Sequence, residues 1–134
     1  MVDHMQAVLE GQASQNITAF SLEVANNLRQ RLIAGSLGPD SIGSGKIAIT
    51  GTLQMYFETA TIMDKYLNQT VSSLAFIIED SSGNAYIIDL PEIKYTDGAR
   101  VAGGENTDIL ADMTFGVRRD AAEDTMIRVV RFAA

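Results

Sequence analysis

The chain has 134 residues, 46% hydrophobic and 20% charged, proportions that fit one folded domain around a single core. Seventeen Asp and Glu against ten Lys and Arg leave a net charge of -7, which argues against gripping nucleic acid through its phosphates. With no Cys and a single His, His4, there is no basis for a disulfide framework, a thiolate nucleophile or a multi-histidine metal site or triad.

Residues 1–16 read as an N-terminal arm, flexible or in part tag-derived, ahead of one domain over 17–134. The first fourteen residues lack the basic start and long apolar run of a secretory signal, so the chain is expected to be intracellular when synthesised. No run approaches the roughly 18 to 20 apolar residues that span a bilayer, and no membrane role is expected. Thr18 to Val24 alternates, with Phe20, Leu22 and Val24 inward and Ala19, Ser21 and Glu23 outward, the period of a half-buried strand. Arg29 to Ser44 has no period; it is rich in Gly and Ser yet holds Leu32, Ile33, Leu37 and Ile42. A loop of this length with apolar residues is expected to be functional.

Lys46 to Glu58 gives the clearest alternation. Ile47, Ile49, Leu53, Met55 and Phe57 lie on one face, and Thr50, Thr52, Gln54 and Tyr56 on the other. Gly51 falls on the apolar face, where a missing side chain implies a bend or a close backbone approach. Thr59 to Asn68 is the one convincing helix, with Ile62, Met63, Tyr66 and Leu67 at helical spacing, Thr59 or Thr61 as cap and Asn68 at the end. Ser73–Asp80 and Ala85–Leu90 flank Ser81-Ser-Gly-Asn84 as a hairpin. Both runs are apolar on both sides, so they are central in the fold or covered by another chain.

Thr96 to Thr107 reads as a second long loop. Asp108 to Val117 reads as a strand with Ile109, Ala111, Met113, Phe115 and Val117 inward and Asp108, Asp112 and Thr114 outward. A short charged loop, Arg118 to Asp124, leads to a final strand, Thr125 to Phe132. The whole is mainly β: a sandwich or barrel of about seven strands with one flanking α-helix and long loops.

Three motifs fail on context. Gly43-Ser-Gly45-Lys-Ile-Ala48 has the glycines of a dinucleotide turn, but a strand follows where a helix is required. Asp80-Ser-Ser-Gly-Asn84 starts like a calcium loop, but its sixth and twelfth positions hold Ala85 and Pro91. Asp108 and Asp112, four apart on a strand, are about 13 Å apart, too far for a glycosidase carboxylate pair. No catalytic site, cofactor or metal site is expected, and the acidic residues read as a solvated face.

The order of segments resembles the tail tube (major tail) proteins of long-tailed bacteriophages. The resemblance runs through Phe20-Ser-Leu-Glu-Val-Ala-Asn-Asn-Leu28, Ile42-Gly-Ser-Gly45, Ile49-Thr-Gly-Thr-Leu-Gln-Met-Tyr-Phe-Glu58 and Asp64-Lys-Tyr-Leu67. It continues in Asp80-Ser-Ser-Gly-Asn-Ala-Tyr-Ile-Ile-Asp-Leu-Pro-Glu-Ile-Lys94 and Gly103-Gly-Glu-Asn-Thr-Asp108. The resemblance implies a fold similar to tube proteins of contractile injection systems, with copies forming rings, rings stacking into a tube, and DNA passing through the lumen without specific binding. A tape-measure protein and a tail terminator are the implied partners. Relatives often carry a second copy of the unit ahead of this one; for this single unit a ring of six is the natural expectation. The implied location is the virion tail, with assembly in the host cytoplasm.

On this reading Glu23, Thr50, Thr52, Gln54, Asp108 and Asp112 are lumen-facing candidates. Met5, Val8, Leu9, Leu32, Ile33, Leu37 and Ile42 are inter-subunit candidates. The alternative is a non-catalytic β-sandwich binding module of a phage baseplate or receptor-binding apparatus. Against it stand the absence of Trp and the lack of an obvious sugar-stacking platform.

Overall fold

A computed structural model describes residues 5–10, 13–14, 16–58 and 60–133. The described strands are β1 (Met5–Glu10), β2 (Ala13–Ser14), β3 (Ile17–Ala25), β4 (Arg29–Leu32), β5 (Pro39–Gly43), β6 (Ala48–Tyr56), β7 (Val71–Glu79), β8 (Ala85–Ala102), β9 (Ile109–Val117) and β10 (Arg128–Phe132). The helix α1 (Thr61–Leu67) lies between β6 and β7. All pairings are antiparallel, in the order β2-β1-β7-β8-β9-β6-β3, with β10 also on β8 and with β4-β5 as a separate two-stranded sheet.

The long β8 makes this a sandwich. Along one edge its first part pairs with β10, from Ala85 to Asp89, and its second part with β9, from Ile93 to Ala102. Pro91 sits where the edge changes partner, a place where a residue without an N–H removes nothing from either ladder. One layer is thus β1-β7-β8-β10 and the other β8-β9-β6-β3. Between them lie Leu74, Phe76, Leu90, Ile93 and Tyr95, fully buried against Ile49, Leu53, Met113 and Phe115. The rings of Phe20 on β3 and Phe76 on β7 approach to 3.9 Å between centroids, bringing the last strand of one layer against an inner strand of the other.

The period-two reading of β6 holds residue by residue: Ile49, Gly51, Leu53 and Met55 are buried, whereas Thr50, Thr52 and Tyr56 are exposed. Gly51 is the anticipated close approach, since a Cβ there would collide with the Phe115 ring and the Ser21 carbonyl oxygen. The hairpin between β7 and β8 forms as read, and both strands are central in the sheet order. Its turn is held by the Asp80 carboxylate, which accepts from the Ser82 N–H (3.3 Å), the Ser81 hydroxyl (3.1 Å) and the Asn84 amide (3.5 Å). The Ser82 N–H and these hydroxyl and amide donors hold the carboxyl below its ordinary range.

Several boundaries differ from expectation. Arg29–Ser44 is not a loop but the β4-β5 hairpin, with Gly35 at φ +93° in its turn and the Ser36 N–H donating to the Ile33 carbonyl. Thr96–Thr107 is not one long loop either, because β8 continues to Ala102 beside β9. A bulge between Tyr95 and Asp97 shifts the alternation there, which masks the strand period. The helix is shorter than 59–68: Ala60 is its N-cap without a side-chain capping bond, Thr59 lies outside the described residues, and Asn68 is the C-cap as expected. Ile62 is buried and Met63 and Tyr66 pack on the core, but Leu67 is 68% exposed. Val24, Ile47 and Ile109, expected inward, are 48%, 45% and 47% exposed at or just beyond strand ends, where the opposite layer no longer covers them. The last strand starts at Arg128 rather than Thr125.

Candidate functional site

Residues paired across neighbouring strands point to the same face, so the register defines the surface opposite the core. Three rows cross the β3-β6-β9-β8 layer. The first is Glu23, Thr50, Gly116 and Lys94; the second Ser21, Thr52, Thr114 and Asp97; the third Ala19, Gln54, Asp112 and Ala99. Five of the six lumen-facing candidates, Glu23, Thr50, Thr52, Gln54 and Asp112, therefore share one face. Asp108 does not join them, because β9 starts at Ile109 and Asp108 sits at the end of the layer.

Much of this face satisfies its own hydrogen bonds. The Gln54 amide donates to Asp112 (2.8 Å) and its oxygen accepts from the Thr18 hydroxyl (3.2 Å), while Ser21 and Thr52 share a hydroxyl–hydroxyl bond of 2.7 Å. Thr18 reaches Gln54 because β3 is irregular between Ile17 and Ala19. A shallow groove of about 410 Å³ runs along these rows, lined by Ser21, Thr52, Gln54, Asp112 and Thr114 among others. The charged groups of the three rows are Glu23, Asp97 and Asp112 against Lys94. Ser21 and Thr114 had an outward facing in the sequence, but Thr18 and Lys94 depended on bulges and register that no local period encodes.

The strand layer also fixes two opposite ends. At one, β3 finishes, β6 begins and the β4-β5 hairpin projects between them. Asn27, at φ +47°, donates its amide to the Lys46 carbonyl at 2.7 Å, and a Cβ on Gly45 would collide with Asn27. Gly45 thus serves the hairpin base. The inter-subunit candidates Leu32, Ile33, Leu37 and Ile42 all lie on this hairpin and are exposed, Leu32 by 76%. Met5, Val8 and Leu9 fall in β1, whose backbone pairs with β7; their side chains lie outside the described ones.

At the other end, Asn16, Ile17, Tyr56, Phe57, Glu58, Asp108 and Ile109 line an open groove of about 570 Å³. The Asn16 amide donates to Glu58 at 2.7 Å, and the Arg100 guanidinium lies 5.3 Å from the centre of the Phe57 ring. Among the described residues no group of three or more His, Asp or Glu could hold a metal ion. No helix there is long and apolar enough to cross a membrane.

The layer has unpaired edges as well. Among the described residues β3 pairs only with β6, and β8 beyond Lys94 pairs only with β9.

A family model described as phage tail tube protein matches residues 1–117. Solved structures share the fold at low identity. The sheath/tube terminator of an extracellular contractile injection system, PVC, in its extended state matches at a TM-score of 0.70 and 12% identity, covering 99% of this chain and 96% of that one. The PVC sheath–tube complex in the extended state matches at 0.66 and 11% identity, covering 100% and 91%. The tail of an empty gene transfer agent particle, refined with C6 symmetry, matches at 0.61 and 13% identity, covering 87% and 83%. No curated protein sequence matches the chain.

Proposed function

The chain belongs to the phage tail tube protein family, a structural component of the virion tail, and from that footing we propose how it builds a tube. Copies join side by side into a ring of six, by analogy with the C6 symmetry of the gene transfer agent tail, and rings stack along the strand direction. The single observation that carries this reading is the β3-β6-β9-β8 layer: polar and acidic on its outer face and, among the described residues, unpaired along the outer edge of β3 and along β8 beyond Lys94. An exposed strand edge is an association surface, and β3 of one copy is suited to extend the sheet at residues 96–102 of the next. That closure faces Glu23, Thr50, Thr52, Gln54 and Asp112 into a lumen, with Asp108 at its rim. DNA crosses such a surface without specific binding, because acidic groups and internally satisfied hydroxyls offer its phosphates few cations.

The hairpin residues Leu32, Ile33, Leu37 and Ile42, and Met5, Val8 and Leu9 of β1, are the contacts assigned to neighbouring copies. A tape-measure protein inside the tube and a tail terminator at its end are the further partners, and assembly is placed in the host cytoplasm. The reading assigns no catalysis. Its test is negative-stain microscopy of concentrated protein beside light scattering on dilution, where rings or tubes with a central hole are expected. A species that is monomeric at every concentration overturns it.

A further inference from the structure

The two ends of the sandwich carry complementary chemistry, which the tube reading does not itself require. Along β4, Arg29 pairs with Gly43 and Arg31 with Ser41, so both cations share one face of the hairpin. The Arg31 side chain lies over Gly43, 3.4 Å from where a Cβ would stand. Ile42, paired with Gln30, belongs to the other face, and Asp40 is left unpaired at the register shift between Arg31 and Leu32. The hairpin is therefore a two-sided finger, cationic on one face and apolar on the other and at its tip.

The groove at the far end holds the matching set: the carboxylates of Glu58 and Asp108 beside the half-exposed Tyr56 and Ile109. Among the described residues no side-chain hydrogen bond or ion pair engages Asp108, Arg29 or Arg31, and the Glu58 carboxylate is engaged only by the neutral amide of Asn16. The finger cannot reach its own groove. The nine residues of β6 separate them by about 26 Å at the rise of a strand.

We infer that the occupant of this groove is the β4-β5 hairpin of a second copy, with Arg29 and Arg31 against Glu58 and Asp108. The contact is heterologous: each copy offers a finger at one end and a groove at the other, so repetition builds an open-ended stack rather than a closed pair. The inference rests on the tube reading and deepens it by naming the stacking surface and its charge code. It also moves Asp108 from the lumen wall to the joint between rings.

The test uses the full chain and three variants: R29E/R31E, E58K/D108K and the combined fourfold reversal, with thermal unfolding verifying that each is folded. Each double variant is expected to need about a tenfold or higher concentration to form tubes, single rings persisting, and the fourfold variant to restore them. Raising salt should weaken wild-type stacking in the same direction. Double variants that form tubes as the wild type does, or a folded fourfold variant that fails to stack, overturn the inference. Wild-type protein that makes no ring or tube at all refutes the tube reading instead, so the two failures are separable.

Discussion

Gly51 shows how a single missing side chain can set the spacing of the whole layer. It lies on the buried face of β6, and the Phe115 ring and the Ser21 carbonyl occupy the space a Cβ would take. Ser21 is on β3 and Phe115 on β9, so both neighbours of β6 close in at this one residue. Gly51→Ala should force one of them outward and lower stability by about 1–3 kcal/mol, the usual cost of overpacking, measured by chemical or thermal unfolding. A variant as stable as the wild type would show that the layer yields there at no cost. The glycine was legible as a close approach because it interrupted an otherwise unbroken apolar row. Its partners were not, since contacts across strands depend on register.

At the level of elements, the sequence was most readable where burial alternates cleanly. In β6 and β9 every second side chain meets the core, and the apolar period marks both strands directly. The β4-β5 hairpin escaped because its strands bury neither face within the subunit, leaving no period to read. The end of β8 escaped for another reason: the bulge at Tyr95–Asp97 slips the alternation just as polar and small residues follow. The candidate face was legible in five of its six named residues, because facing follows from parity. Its hydrogen-bond ladder and the groove at the far end depend on tertiary juxtaposition. The 18-residue β8 has its own consequence, since it belongs to both layers. Amides around Leu90, Ile93 and Tyr95, whose side chains are fully buried where the layers meet, should be the slowest to exchange with deuterium. The two layers should also lose protection together. Early exchange in one layer while the other stays protected would show that β8 does not couple them.

At the scale of the molecule, part of the net charge of -7 takes on a location. Carboxylates on the β3-β6-β9-β8 face lie on the wall assigned to the lumen, whereas Arg29 and Arg31 stand on the hairpin at one end. Glu23→Lys with Asp112→Lys leaves the proposed stacking residues untouched and lines the wall with cations. Particles carrying it should assemble tails of normal length but deliver DNA more slowly or retain it, read by comparing tail morphology with infectivity or ejection. Normal delivery would sink the assignment of this face to the lumen.

The placement of the hairpin and the groove at opposite ends of the strands gives any stack of these subunits a direction. Its two termini cannot be equivalent: one presents a crown of unfilled apolar fingers, the other a rim of empty acidic grooves. A nucleating structure that offers grooves sets the direction of growth, and a protein that stops growth need recognise only one terminus. The exposed fingers would be the more urgent to cover, because bare apolar tips invite association with the wrong partner. Polarity, and with it the ability to start and stop at different places, is already present in the single subunit before any ring forms.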